Sequence, residues 1–297
     1  MNELIKITKP EIFNFQMCLK FLDRGYAECL YVVSNSSVKR LIRLTSGLAL
    51  IEVYDDESNI IVKTSDKKLS SLDRKEIIAY VFDWFDLNRD IQAFYQLLLA
   101  HQQTKYFPER YHGLRLMGIV DLFEALCWCV IGQQINLTFA HKIKTRLVHK
   151  YGESEIVHGK TYYCFPKPEV LANLDRKELV AMQFSKQKIN YVINIAQAFC
   201  QGQIDKTELL RLNKTEQMKK LTAIKGIGPW TANYVSMKCL RDMTCIAYGD
   251  TGLSSSLYKN FQTDKKPSHD VIDKVFEPYA GWESYLNFYL WRSLSPK

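Results

Sequence analysis

Residues Leu221–Asp250, LTAIKGIGPWTANYVSMKCLRDMTCIAYGD, decide how the rest of this chain is read. Lys214 to Ala223 carry a helical pattern with Met218, Leu221 and Ile224 on one side, and Gly226-Ile227-Gly228-Pro229 stops that helix abruptly. Pro229 suits the first turn of a second helix, where its missing N–H would have had no intrahelical partner. In that helix Tyr234, Met237 and Lys238 recur on the 3.6-residue period from Trp230, while Ala232, Val235 and Cys239 line the neighbouring face. Two helices joined at glycines expose bare backbone amides at the turn. Those amides, at the positive end of a helix dipole, make a site for a phosphate oxygen without any side chain.

Turn, Pro-Trp, Asn-Tyr and the spacing from Trp230 to Asp250 occur together, and the combination resembles the helix-hairpin-helix of the base-excision DNA glycosylase superfamily, in which an aspartate follows the hairpin. Within it the chain looks most similar to AlkA-type 3-methyladenine glycosylases, loosely over nearly its whole length. Taken alone, Gly-Ile-Gly reads equally as a helix connector of an all-α protein.

A chain of 297 residues, 47% hydrophobic and 24% charged, can bury a sizeable core and divides into two domains. A net charge of +8 favours an anionic partner, although the excess is spread without a long basic run. The 8 cysteines lack paired C-x-x-C spacing, and are expected to be reduced and mostly buried, with no metal site. No apolar run approaches the roughly 18 residues of a membrane span, and the N-terminus has no signal-peptide pattern, so a cytoplasmic protein, nucleoid-associated in a prokaryote, is expected.

The fold expected is α+β. From residue 1 to about 108, a helix near Glu11 to Arg24 is followed by closely spaced β-forming runs at Leu30 to Val33, Val38 to Thr45, Leu48 to Tyr54 and Ile60 to Lys63. They predict an antiparallel sheet, covered by helices at Asp73 to Phe85 and Asp90 to Gln102 with the stripe Ile77, Tyr80, Val81 and Trp84. Such a sheet domain is also what the resemblance implies at the N-terminus. Residues 109–297 read as helical throughout. Asp121 caps one long helix, Gly132-Gln133-Gln134-Ile135-Asn136 breaks it, and Leu137 to Tyr151 resume. Further helices are expected at Pro168 to Leu174, Asp175 to Ala181, Lys186 to Gln201, Ser268 to Glu277 and Trp282 to Ser293.

The resemblance implies a monofunctional DNA glycosylase that extrudes alkylated purines of the 3-methyladenine and 7-methylguanine type from double-stranded DNA, acting as a monomer. Breaking the bond from base to deoxyribose leaves positive charge on the sugar, and an ionised carboxylate stabilises it and orients water. Asp250 suits that catalytic role, and equally an N-cap for Thr251 to Lys259. Trp230 and Tyr234 share a helix face, and Trp291 matches another aromatic of the family's base pocket, with Trp282 a weaker candidate. Electron-poor bases are attracted to such rings. Gln134 matches the residue that fills the hole left by the extruded nucleotide, or else is part of a polar kink between helices. Gly226 and Gly228, flanked by Lys225 and Thr231, are expected to touch DNA; Lys188, in a helix start opened by Ser185, adds a second phosphate contact or is simply solvated.

In bifunctional relatives a lysine stands where this chain has Trp230, so no Schiff base and no strand cutting are expected. No cysteine follows Cys245, so the four-cysteine iron–sulfur cluster of the endonuclease III branch is not expected. No cofactor is required, though hairpin carbonyls in this superfamily often hold a monovalent cation. The competing readings are a non-catalytic hairpin DNA-binding protein and a glycosylase for another lesion class such as oxidised purines.

Overall fold

A computed structural model describes residues 3–65 and 68–295. The chain opens with β1 (Leu4–Thr8) and α1 (Phe15–Leu22), then β2 (Tyr31–Val33), β3 (Ser37–Leu44), β4 (Gly47–Asp55) and β5 (Asn59–Thr64), followed by α2 (Ser71–Phe85), α3 (Gln92–Ala100) and α4 (Phe107–Arg110). Next come α5 (Leu122–Gly132), α6 (Leu137–Tyr151), the hairpin β6 (Ser154–Val157) and β7 (Lys160–Tyr163), α7 (Pro168–Ala172), α8 (Arg176–Ala181) and α9 (Lys186–Cys200). The last helices are α10 (Lys206–Leu209), α11 (Lys214–Thr222), α12 (Pro229–Lys238), α13 (Thr251–Phe261), α14 (His269–Phe276) and α15 (Glu283–Ser293). The fold is α+β.

The N-terminal strands form one antiparallel sheet in the order β1-β5-β4-β3-β2. Alternation decides which face each residue takes: Val38 and Ile42 of β3 and Ala49, Ile51 and Val53 of β4 point inward, Leu41 and Leu50 outward. Two elements correct the expectation. β1 was not anticipated, although Ile5 and Ile7 alternate as a strand should and are buried. The region after residue 108 is also not wholly helical, because β6 and β7 form a tight hairpin whose turn residues His158 and Gly159 both have positive φ. This hairpin brings Tyr162 and Cys164 onto Leu41 and Leu50, so the outer face of the sheet is covered too.

Side-chain caps set the helix starts. Asp121 accepts from the Glu124 amide at 2.7 Å to begin α5, and Asn136 from that of Phe139 at 2.9 Å to begin α6. Ser70 and Asn213 make reciprocal capping boxes on α2 and α11.

Among the described residues two large apolar cores form, besides the small cluster on the outer sheet face. One joins the inner sheet face and α1–α3 to Met237 of α12 and to α13–α15; the other packs α5, α6, α9, α11 and most of α12. Burying Leu286, Phe288 and Leu290, each worth about 2–3 kcal/mol, draws α15 back against the N-terminal sheet layer. A buried ion pair, Arg40 to Glu124 at 2.6 Å, ties β3 to α5. α12 lies on the seam, with Val235 in one core and Met237 in the other. All eight cysteines are free thiols, and all but Cys29 and Cys200 are buried. Among the described residues no helix is long and apolar enough to cross a membrane.

Candidate active site and hairpin

The turn between α11 and α12 is built by two glycines with different tasks. Gly226 has φ +111°, and a Cβ there would stand 2.5 Å from the Tyr191 ring, so both backbone and packing require glycine. Gly228 is extended at φ −92° and is the N-cap of α12 with no side-chain acceptor; a Cβ on it would meet nothing within 4 Å. The first helical bond of α12 runs from the Ala232 amide to the Gly228 carbonyl at 3.0 Å, which leaves the amides of Trp230 and Thr231 without intrahelical partners beside the exposed Gly228 and Pro229.

Lys225 is exposed on the turn, its carbonyl 3.5 Å from the Asn194 amide nitrogen. Two of the expected DNA contacts take other places. Thr231 is only 1% exposed, on the inner side of α12, so what it can offer a phosphate is its backbone amide and not its hydroxyl. Lys188 is buried, and its amine donates to the Ile131 carbonyl at 2.7 Å, tying α9 to the end of α5. Desolvation lowers its pKa. It is a structural strut rather than a free cation.

Asp250 ends the segment after the hairpin and caps α13. One oxygen, Oδ1, accepts from the Leu253 amide at 2.7 Å and from the Trp291 indole N–H at 2.8 Å. The other, Oδ2, has no hydrogen bond among the described residues. The carboxylate is half-buried. Gly252 makes this approach possible, since a Cβ there would stand 3.0 Å from Asp250 Oδ1 and 3.2 Å from Trp291 Cδ1. The capping and the exposed-oxygen roles therefore fall to different atoms of one carboxylate.

The expected aromatics assemble around it. Trp230 stacks on Tyr234 with centroids 5.4 Å apart and 25° between planes, and Tyr234 meets Trp291 at 6.0 Å. Trp282 does not join them; it stacks on Phe94 at 5.6 Å against the sheet-side core. Burial pushes the Tyr234 phenol well above its ordinary pKa, so it stays neutral and offers a hydrogen bond donor.

Several neighbours were not singled out by sequence. Trp128 of α5 approaches the Tyr234 hydroxyl. From α1 and the loop after it come Phe21 and Arg24, whose guanidinium lies 4.5 Å from the Phe21 centroid, and α15 adds Phe288, 4.7 Å from Phe21. Lys238 continues the face of Trp230 and Tyr234 by one turn and is buried. Its phase on α12 was legible; that a long-range partner would bury it was not. Gln134 sits at the break between α5 and α6 with φ 54°, exposed. A left-handed backbone there aims a polar side chain into solvent at the turn.

Comparison with known proteins identifies the family and the fold. Residues 127–280 match the family model described as HhH-GPD superfamily base excision DNA repair protein, and residues 11–126 match that of the 8-oxoguanine DNA glycosylase N-terminal domain. A Bacillus subtilis (strain 168) protein named DNA-3-methyladenine glycosylase is 38% identical over 297 residues, which span 99% of this chain and 98% of that one. Among solved structures, a 3-methyladenine DNA-glycosylase from Archaeoglobus fulgidus superposes with TM-score 0.84 at 20% identity over 97% of each chain. A Clostridium acetobutylicum 8-oxoguanine glycosylase/lyase in complex with dsDNA gives 0.69 at 17% identity, covering 90% of this chain and 98% of that one. At such identities the two structures speak for the fold alone.

Proposed function

The chain belongs to the HhH-GPD superfamily of base excision DNA repair proteins, and on that premise we propose that it is a monofunctional glycosylase that extrudes alkylated purines, 3-methyladenine and 7-methylguanine among them, from duplex DNA and hydrolyses their N-glycosidic bond. The observation that carries the reading is Asp250: one oxygen anchored by the Leu253 amide and the Trp291 indole, the other unengaged beside three aromatic rings.

In this reading the extruded base stacks against the group of Trp230, Tyr234 and Trp291, whose ring faces attract a base made electron-poor by methylation. As the bond to the base lengthens, the sugar gains positive charge, and the free oxygen of Asp250 stabilises it while orienting the water that attacks C1′. The indole N–H and the cap bond prevent the carboxylate from turning away. Gln134 enters the duplex in place of the lost nucleotide, and the amides at Gly228 bind a backbone phosphate, with Lys225 adding charge at the same turn. A monovalent cation on the turn carbonyls would strengthen that phosphate contact. The chemistry itself calls on no cofactor. One copy of the chain carries the whole site, so it acts as a monomer on DNA in the cytoplasm.

Trp230 stands where a Schiff-base lysine would be needed, and Lys238 begins about 12 Å further along the helix axis. Base release without strand cutting follows. The N-terminal match to an 8-oxoguanine glycosylase domain favours a second reading, excision of an oxidised purine. A duplex with one 7-methylguanine separates the possibilities: the enzyme should generate an abasic site that breaks only on alkali treatment, with no adduct trapped by borohydride. A trapped adduct or spontaneous nicking would overturn the monofunctional mechanism. Abasic sites at 8-oxoguanine but not at 7-methylguanine would favour the second reading.

A further inference from the structure

Lys238 is only 4% exposed, and its amine makes neither a hydrogen bond nor an ion pair among the described residues. Nζ lies 5.2 Å from the centroid of Phe21 and 4.8 Å from that of Phe288. Phe288 stands one turn before Trp291 on α15, and Lys238 one turn beyond Tyr234 on α12. The amine and its two rings are thus the next layer beneath the Tyr234–Trp291 contact. Side chains on a helix lean toward its N-terminus, which carries the lysine stem back toward Tyr234.

Burying an amine without a partner is costly, and a methionine of similar length would be cheaper at this place. Burial first, then the guanidinium groups of Arg241 and Arg24, pushes its pKa well below the ordinary lysine value, yet the amine donates hydrogen bonds in either protonation state. The two phenyl rings fix its position. Among the other polar groups nearby, the Trp291 indole N–H is committed to Asp250, and the Tyr234 hydroxyl faces Trp128. Lys238 is the donor one helical turn beyond Tyr234, held by the two rings with no acceptor of its own among the described residues.

We propose that Lys238 reads the far edge of the extruded base by donating a hydrogen bond to the 6-carbonyl of a guanine-type purine. The proposal rests on the glycosylase reading and adds to it a residue that selects among damaged bases. A 6-carbonyl accepts such a bond; the 6-amino group of an adenine-type base does not, since its lone pair is delocalised into the ring. A purine anchored at Asp250 by its sugar and stacked against the aromatic group directs its six-membered ring away from the sugar, toward the Lys238 layer.

Methylated duplex DNA carries 7-methylguanine and 3-methyladenine together, so single-turnover release of both can be followed in one digest by the wild type, Lys238→Met and Lys238→Arg. Their ratio does not depend on the fraction of folded enzyme. Lys238→Met should lower the ratio of 7-methylguanine to 3-methyladenine release about tenfold or more, while Lys238→Arg, which keeps a donor, should hold it within about threefold of the wild type. Lys238→Met should also melt no lower than the wild type, because it removes an unpaired buried amine. An unchanged ratio in Lys238→Met overturns the role of Lys238 and leaves the glycosylase reading standing. Release of neither base by the wild type overturns the glycosylase reading, and this one with it.

Discussion

Replacing Asp250 by Asn separates its two roles. Asparagine is as good an N-cap as aspartate, and its amide oxygen can take both bonds now made by Oδ1, from Leu253 at 2.7 Å and Trp291 at 2.8 Å. The fold of α13 and the placement of Trp291 should survive. What disappears is the negative charge on the free oxygen. A unit charge about 4 Å from the developing positive charge of the sugar, at an effective dielectric of about 20 for a half-buried group, is worth about 4 kcal/mol, or roughly a thousandfold in rate. Base release by Asp250→Asn under single-turnover conditions should therefore fall about 10³-fold, with duplex affinity within about threefold of the wild type because the charge acts mainly in the transition state. Asp250→Ala should be equally inactive and lose about 1 kcal/mol of stability as well, since it abolishes the cap. A rate for Asp250→Asn within about fivefold of the wild type, with unchanged melting, would refute the electrostatic role.

Three further outcomes are expected. Gly228→Ala, which meets nothing within 4 Å, should keep its melting temperature and weaken binding to all duplex sequences alike; Gly226→Ala should instead lose about 1–3 kcal/mol of stability through its positive φ and the Tyr191 ring. Anisotropy titrations and thermal melts read both, and sequence-dependent losses for Gly228→Ala would contradict phosphate binding. Trp230→Ala, by removing the ring stacked 5.4 Å from Tyr234, should cost more rate on cationic 7-methylguanine than on neutral hypoxanthine; equal losses would make shape the selector. Finally, burial, then the ammonium of Lys144, holds the His141 pKa at about 4, against the pull of Glu28 3.6 Å from Nδ1 and with Arg24 adding to the depression. The unfolded chain takes up this proton near pH 6.5, so the contribution of His141 to stability is full above that pH and is lost as pH falls toward about 4. His141→Phe, which can keep the stack on Tyr26 at 4.9 Å, should flatten urea-melt stability across that window, and an identical pH slope in both proteins would contradict it.

What the sequence made legible is what local chemistry determines. Asp121 and Ser185 announce helix starts because capping is a short-range bond, and Gly226 announces the turn because its positive φ and the Tyr191 ring admit no other residue as cheaply. Trp230 and Tyr234 are placed together by helical period, and Asp250 by the resemblance of the hairpin and its following aspartate to the glycosylase superfamily. The β6–β7 hairpin was hidden because its strands have four residues each and gain their stability from Leu41 and Leu50, more than a hundred positions earlier. Lys188 reads as a phosphate contact or a solvated cation and Lys238 only as a member of the Trp230 face; that α5 and the Phe21–Phe288 pair bury them is revealed by the tertiary fold alone. The same holds for Trp282, whose partner Phe94 lies in the N-terminal half. That Asp250 can both cap α13 and act on the sugar was legible; which of its oxygens is held is set by Trp291, 41 positions later.

The most direct test of the account is chromatography of the bases set free when the purified protein is incubated with methylated duplex DNA, alongside Asp250→Asn. The account predicts free 3-methyladenine and 7-methylguanine from the wild type, strands that remain unbroken until alkali is added, and almost no free base from the variant. Tight binding to the same DNA with no base released by the wild type would contradict it, and would leave the hairpin as a DNA-binding element without catalysis.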